Sequence, residues 1–405
     1  MKHFVVIGAG QAGASLVAKL RGEGFDGKIT LLGSEPVAPY QRPPLSKAYL
    51  LGEMGLDRLL LRSADFYADQ NIELRLETPV EKIDAAAKTV TLFDGEVIAY
   101  DELALCTGST PRRLPASIGG ELGGVYTVRT LADVDAMAPE FTEGRRLLVV
   151  GGGYIGLEAA AVAAKKGLEV TVIEMAPRIL QRVACEETST FIREMHQAQG
   201  VKILESTGLT SLNGGERIES ATLGNGDTIP VDFAIVGVGI IPNTLLAEEA
   251  GIACANGIDT DVQGRTSDPH VWAAGDCANL TFKGQKLRIE SVGNAIDQAE
   301  IVAKNMLGQG VDYEPKPWFW SDQYDVKLQI AGLNIGYDKV YVKTFAEDAS
   351  ARVHWYFQGD ELIACDAVNA AKDYMVAKRL IEAGKSPAPE VLCDEATNMK
   401  ALLKS

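Results

Sequence analysis

Two glycine-rich turns constrain this chain more than any other feature. HFVVIGAGQAG, from His3 to Gly13, and VVGGGYIGLEAAAVAAKKGLEVTVIE, from Val149 to Glu174, both begin with an apolar strand, a tight turn and a helix. A lone G-x-G-x-x-G is weak evidence, but each copy here has a strand before it, a helix after it and an acid downstream. Glu35 stands 27 residues past Gly8, and Glu174 stands 23 past Gly151. The first glycine of each set (Gly8, Gly151) permits the turn, and the second (Gly10, Gly153) lets the backbone approach a pyrophosphate. The third (Gly13, Gly156) lets helix and strand pack closely, with the helix N-terminus facing the phosphates. The acid accepts hydrogen bonds from ribose hydroxyls. Two such units predict two dinucleotide sites.

The remaining segments extend these units. Phe4–Ile7 and Ile29–Leu32 read as strands around a helix ending near Arg21. Strands near 73–76, 88–93 and 102–106 continue the first unit, and TGSTPRRLP closes it with turn residues. The second unit opens at Arg145–Val150, with strands expected at 201–205, 220–223 and 233–236 before VGVGIIPN interrupts the pattern. TSDPHVWAAGDCA, Thr266 to Ala278, is a strand ending in Gly-Asp, and a helix is expected over 294–306. After the Pro- and aromatic-rich YEPKPWFW come short strands and a helix near 371–383, the pattern of an α+β domain. The expected fold class is therefore α/β, with two Rossmann-like dinucleotide-binding domains and a C-terminal α+β domain. The expected boundaries are 1–110 with 239–316, 111–238, and 317–405.

A formal net charge of −16 disfavours a nucleic-acid partner, whose footprint is basic. No run of about 18 apolar residues suggests a membrane span, and no signal peptide is read before the first strand, so a cytoplasmic location is expected. The six cysteines are scattered, with no C-x-x-C and no Cys/His cluster at metal-ligand spacing, so no metal is expected.

The Gly275-Asp276 pair helps assign the sites. TSDPHVWAAGDCA resembles the strand-plus-Gly-Asp element of FAD-containing reductases with two dinucleotides, in which the acid bonds the ribityl chain. The N-terminal site is then the FAD site, completed from far along the chain, and the internal site takes the nicotinamide nucleotide. A 2′-phosphate beside Glu174 would meet like charge, at roughly 4 kcal/mol per unit pair near ~4 Å and an effective dielectric of ~20. NADH is therefore expected. Arg178 and Arg182 follow later than direct 2′-phosphate contact would require.

Electrons leave such flavoproteins through a protein disulfide or directly to a bound acceptor. The disulfide route needs a thiolate beside the flavin. No cysteine precedes Cys106, and PYQRPPLSKAYL fills the segment where a reactive cysteine is expected. Direct transfer is favoured. PYQRPPLSKAYL, GGGYIGLEAA, GVGIIPN, TSDPHVWAAGDCA, RIESVGNAIDQAE and FWSDQYDVKLQ together resemble the NADH-dependent ferredoxin reductases. These serve bacterial cytochrome P450 systems and aromatic-ring dioxygenases, and putidaredoxin reductase belongs to the group.

The resemblance covers nearly the whole chain and implies a glutathione-reductase-like fold, FAD, NADH and a [2Fe–2S] ferredoxin as acceptor. That ferredoxin would feed a P450 or another oxygenase. Carried over by motif, Gly8, Gly10, Ala12, Gly13, Ser34, Glu35, Arg42, Lys47, Val80, Arg129, Gly275, Asp276 and Val292 fall on the FAD side. Gly151, Gly153, Tyr154, Ile155, Gly156, Glu158, Glu174 and Gly239 fall on the NADH side.

Three side chains are expected to act in the chemistry. Lys47 follows a Pro-Pro turn, and its natural counter-ion is Glu158, one turn into the second fingerprint helix. The pair is expected to orient the nicotinamide. Trp320, in WFWSDQYD, reads either as packing at a domain junction or as an indole that guides electrons or the ferredoxin. Tyr154 reads as a gate or as helix-start packing. His3, His196, His270 and His354 are isolated, and hydride transfer needs no histidine base. An acidic ferredoxin needs a local basic patch, for which Lys286, Arg288, Lys327 and Lys339 are candidates. A monomer or weak homodimer is expected. Rival readings are a rubredoxin reductase, a flavin NADH oxidase, a monodehydroascorbate-type reductase, and a flavoprotein whose main work is redox-gated binding.

Overall fold

The structure, a computed structural model, describes residues 1–63 and 65–404. Three five-stranded sheets organise it. In chain order their strands are β1 (His3–Ile7), β2 (Lys28–Leu32), β3 (Ile72–Arg75), β4 (Glu102–Leu105), β5 (Val125–Tyr126), β6 (Arg146–Val150), β7 (Glu169–Ile173) and β8 (Lys202–Leu204). β9 (Phe233–Val236), β10 (Val271–Ala273), β11 (Trp318–Gln323), β12 (Val326–Gly332), β13 (Lys339–Thr344), β14 (Arg352–Gln358) and β15 (Glu361–Val368) follow. The principal helices are α1 (Gln11–Gly22), α2 (Tyr154–Lys165), α3 (Glu186–Ala198), α4 (Val292–Met306) and α5 (Ala371–Glu382).

The chain divides into two compact units. One comprises Met1–Gln41, Gly55–Thr110 and Ile240–Pro317; the other comprises Arg42–Met54, Pro111–Gly239 and Trp318–Ser405. The short stretch carrying Arg42 and Lys47 therefore groups with the second unit, and so does the C-terminal α+β domain.

The first unit is built on a parallel sheet in the order β10-β4-β1-β2-β3. β1 is buried on both faces from Phe4 onward, which explains its unbroken apolar run. α1 and α4 pack along one another and share a core with Leu16, Val17, Leu20, Ala299, Val302 and Ala303. Ser291 caps α4 by accepting the Asn294 amide at 3.2 Å.

The second unit contains a parallel sheet in the order β8-β7-β6-β9-β5 and an antiparallel sheet in the order β11-β12-β15-β14-β13. α3 leads to the antiparallel sheet through a buried polar joint. Cys185 caps α3, its amide donates to Tyr356 Oη at 2.9 Å, and Thr188 Oγ1 meets His354 Nδ1 and Asp366 Oδ2 at 2.6 Å each. Among the described residues, no helix is long and apolar enough to cross a membrane.

Candidate dinucleotide sites and a buried ion pair

In the first unit the carboxyl ends of the parallel strands β1, β2, β4 and β10 lie together at one end of the sheet. That end is the ligand crevice of open α/β sheets. Gly8 leaves β1 with φ +112°, and a Cβ on it would collide with the Cys106 carbonyl at the end of β4. A Cβ on Gly13 would strike the Gly8 carbonyl, so both glycines are demanded by the turn itself. Gly10 is different, because no protein atom lies within 4 Å of its would-be Cβ. The space above it, at the N-terminus of α1, is room that a side chain would take from an approaching phosphate.

Ala12 stands beside the other turn of this site, since a Cβ on Gly275 would come within 3.0 Å of the Ala12 methyl. Gly275 has φ +83°, and its amide is held by Gln298 Oε1 of α4 at 2.9 Å. Asp276 accepts from Ser109 Oγ at 2.9 Å. Val292 is the first residue of α4. Ser34 is exposed past the end of β2, and Glu35 Oε2 accepts from Tyr40 Oη at 2.6 Å. Val80 opens a small antiparallel strand that the Thr78 amide ties to the Gly33 carbonyl at 2.8 Å.

The second unit repeats the cradle. Gly151 has φ +104° and abuts the Gly237 carbonyl at the end of β9, while Gly156 sits 2.7 Å, measured from a would-be Cβ, from the Gly151 carbonyl. Gly153 caps α2 in an extended conformation with open space around its would-be Cβ. Ile155 is exposed at the first turn. Glu174, at the end of β7, uses both oxygens: Oε2 accepts the Gly152 amide at 2.7 Å, and Oε1 accepts the Ala176 amide at 2.8 Å. It therefore shapes the fingerprint loop as well as presenting a carboxylate. Arg178 is committed to the Cys185 carbonyl and Ser189 Oγ. Gly239, with φ +101°, lies beside Arg112 and Arg182.

Lys47 and Glu158 meet at 2.9 Å. Glu158 is 4% exposed and fully partnered: Oε2 also accepts from Ser46 Oγ at 2.8 Å, and Oε1 accepts from Ser321 Oγ at 2.7 Å. Burial raises the Glu158 pKa, and the ammonium of Lys47 is the first influence opposing it. The chain of donors continues outward. Gln323 Nε2 donates to Ser321 Oγ at 3.0 Å, and Gln323 Oε1 faces His196 Nε2 at 2.7 Å. With that amide orientation His196 carries its proton on Nε2, and its Nδ1 accepts from Tyr324 Oη at 3.0 Å.

Ser46 and Ser321 were not singled out in the sequence, although each lies inside a motif that was, RPPLSK and FWSDQYD. Trp320 is half-buried on β11 and stacks on Trp318 at 5.5 Å. Tyr154 packs against Phe319 at 5.0 Å with its hydroxyl buried and unbonded. Arg42 Nη1 donates to the Arg129 carbonyl at 2.7 Å, so these two lie together in the second unit.

Two docking candidates are spent internally. Lys286 Nζ donates to the Thr260 carbonyl at 2.7 Å, and Arg288 engages Asn256 Oδ1 at 2.7 Å and Glu290 at 2.6 Å. Lys327 and Lys339 are exposed. All six thiols are free, and burial raises the pKa of Cys106 and Cys277. Cys185, His354 and Asp366 come together with their ligand atoms within 4.8 Å, a cluster that sequence spacing does not reveal. The Thr188 hydroxyl stands among them and takes up their hydrogen bonds.

The two cradles fit two dinucleotides, with backbone amides at open helix N-termini and a carboxylate downstream of each. Residues 2–299 match the family described as pyridine nucleotide-disulphide oxidoreductase, and residues 318–403 match reductase C-terminal. The chain is 45% identical over 384 residues to a ferredoxin–NAD(P)+ reductase of Sphingomonas sp, covering 94% of this chain and 92% of the relative. It is 41% identical to a 5,5′-dehydrodivanillate O-demethylase ferredoxin reductase subunit of Sphingobium sp. (strain NBRC 103272 / SYK-6), over 99% of both chains. Among solved structures, the covalent putidaredoxin reductase–putidaredoxin complex superposes with a TM-score of 0.96 at 37% identity, covering 100% of this chain and 98% of that one. On these matches and this geometry, the chain belongs to the pyridine nucleotide-disulphide oxidoreductase family.

Proposed function

We propose that this chain is an FAD-dependent NADH:ferredoxin oxidoreductase that passes electrons to a [2Fe–2S] ferredoxin serving a cytochrome P450 or a dioxygenase. Its cofactors are FAD and NADH. The flavin, when bound, accepts two electrons as a hydride from NADH and releases them singly to a one-electron carrier. The chain binds and orients. The turn built by Gly8, Gly10, Ala12 and Gly13 opens the N-terminus of α1 to one pyrophosphate, with Asp276 as acceptor for hydroxyls of the same ligand. Gly151, Gly153 and Gly156 do the same for NADH, with Glu174 on its ribose.

The observation that carries the reading is the Lys47–Glu158 pair, with a buried carboxylate held by two serines one turn into the NADH-side helix. It is a fixed charge arrangement suited to placing a nicotinamide without a thiol relay. The working division is an FAD domain (1–110 and 239–316), an NADH domain (111–238) and a C-terminal domain (317–405), with a cytoplasmic location where NADH is at hand. Stopped-flow mixing of NADH-reduced protein with purified [2Fe–2S] ferredoxins and rubredoxins tests the proposal. Fast, saturable reduction of a ferredoxin is expected. Loss of turnover on alkylating the thiols, or rapid electron transfer to rubredoxin alone, would overturn it.

A further inference from the structure

Two guanidinium groups stand beside the second cradle with no acidic partner among the described residues: those of Arg112 and Arg182. Four arginines of the same unit are paired with acids, Arg145 and Arg217 with Glu140, Arg146 with Asp232 and Arg193 with Glu205. In a chain of net charge −16, unpaired arginines converging on one point need a reason.

The point is Gly239. A Cβ built on it would lie 3.8 Å from Arg112 Cδ and Nε and 4.0 Å from Arg182 Nη2. The Arg112 amide donates to the Gly239 carbonyl at 2.9 Å, which fixes the root of that side chain. Arg182 reaches the same point from a different segment. Its segment crosses the fingerprint: the Leu180 amide donates to the Gly152 carbonyl at 3.0 Å, and Ile179 packs on Gly152.

The flank is set by strand order. β6 lies between β7 and β9, and Val150 is in register with Val236. Residues 237–239 therefore border the fingerprint on the β9 side, while Glu174 borders it on the β7 side. An adenosine 2′-phosphate would sit on the ribose beside Glu174, on the wrong flank for this pair and next to a like charge. A bound pyrophosphate would lie between, at the N-terminus of α2, whose dipole supplies only about half a positive charge against two negative ones.

We propose that Arg112 and Arg182 form a clamp on the pyrophosphate of the bound nicotinamide dinucleotide, gripping it from the β9 flank opposite the carboxylate that reads the ribose. The clamp rests on the reading of the second cradle as the NADH site. Guanidinium forks suit this task because they offer paired donors to phosphate oxygens without giving up their charge.

The test uses the FAD-loaded protein with Arg112→Gln, Arg182→Gln and the double variant, with flavin absorbance and melting temperature as controls for folding. Equilibrium titrations compare NAD+, NADP+, ADP-ribose and adenosine. Each single variant should weaken NAD+ and ADP-ribose by the same factor, about tenfold, as expected for a charge-assisted hydrogen bond to an exposed phosphate. Adenosine binding should not change. Arg182→Lys should restore part of the loss, and 1 M salt should shrink it, because screening acts within about 3 Å there. Parent-like binding of NAD+ and ADP-ribose by the double variant would overturn the clamp, and a loss confined to NADP+ would assign the pair to a 2′-phosphate instead. A parent that binds neither NAD+ nor ADP-ribose would overturn the cradle reading itself, and the clamp with it.

Discussion

Replacing Lys47 with Met removes a charge, keeps most of the side-chain volume, and leaves Glu158 as a buried carboxylate with two serine donors. The lost attraction is large. At the 2.9 Å separation of Nζ and Oε2 it is about 6 kcal/mol for an effective dielectric of about 20. Breaking one side of a buried pair costs roughly 3–5 kcal/mol once relaxation is included. Glu158 has one escape, which is to bind a proton. Burial already raises its pKa above the ordinary 4.5, and Lys47 is the first influence holding it down. Without Lys47 the folded-state pKa climbs further. A carboxyl whose folded pKa exceeds its unfolded one stabilises fully below the unfolded value, and that contribution is lost as pH rises toward the folded value, at up to about 1.4 kcal/mol per unit.

The penalty of Lys47→Met should therefore depend on pH. About 3 kcal/mol or more is expected at pH 8, falling below about 1.4 kcal/mol at pH 5.5, one unit above the unfolded pKa, because the parent's own raised Glu158 pKa already carries part of that linkage. Urea denaturation followed by tryptophan fluorescence from pH 5.5 to 8.5 measures it, with the rate of NADH-driven flavin bleaching recorded alongside. Adding Glu158→Gln to Lys47→Met should recover most of the stability but not the rate. A penalty that stays flat with pH, or that Glu158→Gln leaves in place, would refute the buried-pair reasoning. An unchanged bleaching rate in Lys47→Met would refute the orienting role.

Trp320→Ala should lower ferredoxin reduction several-fold more than ferricyanide reduction; equal losses in the two assays would reduce the indole to packing. Asp276→Ala strips the acceptor at the Gly275 turn and should release FAD on gel filtration, where the parent keeps its yellow colour. Burial lowers the His196 pKa to about 4 from 6.5. Its neutral form contributes stability that is present above pH 6.5 and lost as pH falls to about 4, up to about 3 kcal/mol. His196→Gln should accordingly flatten the decline in melting temperature across that range.

The two cradles were legible in the sequence because each glycine answers to a local collision: Gly8 with Cys106, Gly13 with Gly8, Gly151 with Gly237. The Lys47–Glu158 partnership was readable from chemistry, as the pairing of a turn cation with a helix acid. Its serine donors were not, because Ser321 reaches Glu158 across 163 residues and only the register of β11 brings it there. Arg112 was missed for a related reason. Nothing in TGSTPRRLP shows that its amide is bonded to Gly239. Lys286 and Arg288 looked available because sequence displays charge and hides the carbonyls that consume it. Strands of three residues, such as Val97–Ala99 and Thr228–Pro230, are too short to show a period.

Ser321 and Gln323 come from the C-terminal sheet, yet they complete the solvation of a carboxylate that belongs to the nucleotide fold. The tail is consequently no interchangeable module. A chimera that grafts another reductase's tail onto residue 317 would have to import a hydroxyl and an amide at those two places, or leave Glu158 Oε1 without its serine donor. Residues 46, 158 and 321 are thereby tied to one carboxylate, so a change at any of them is felt by the other two.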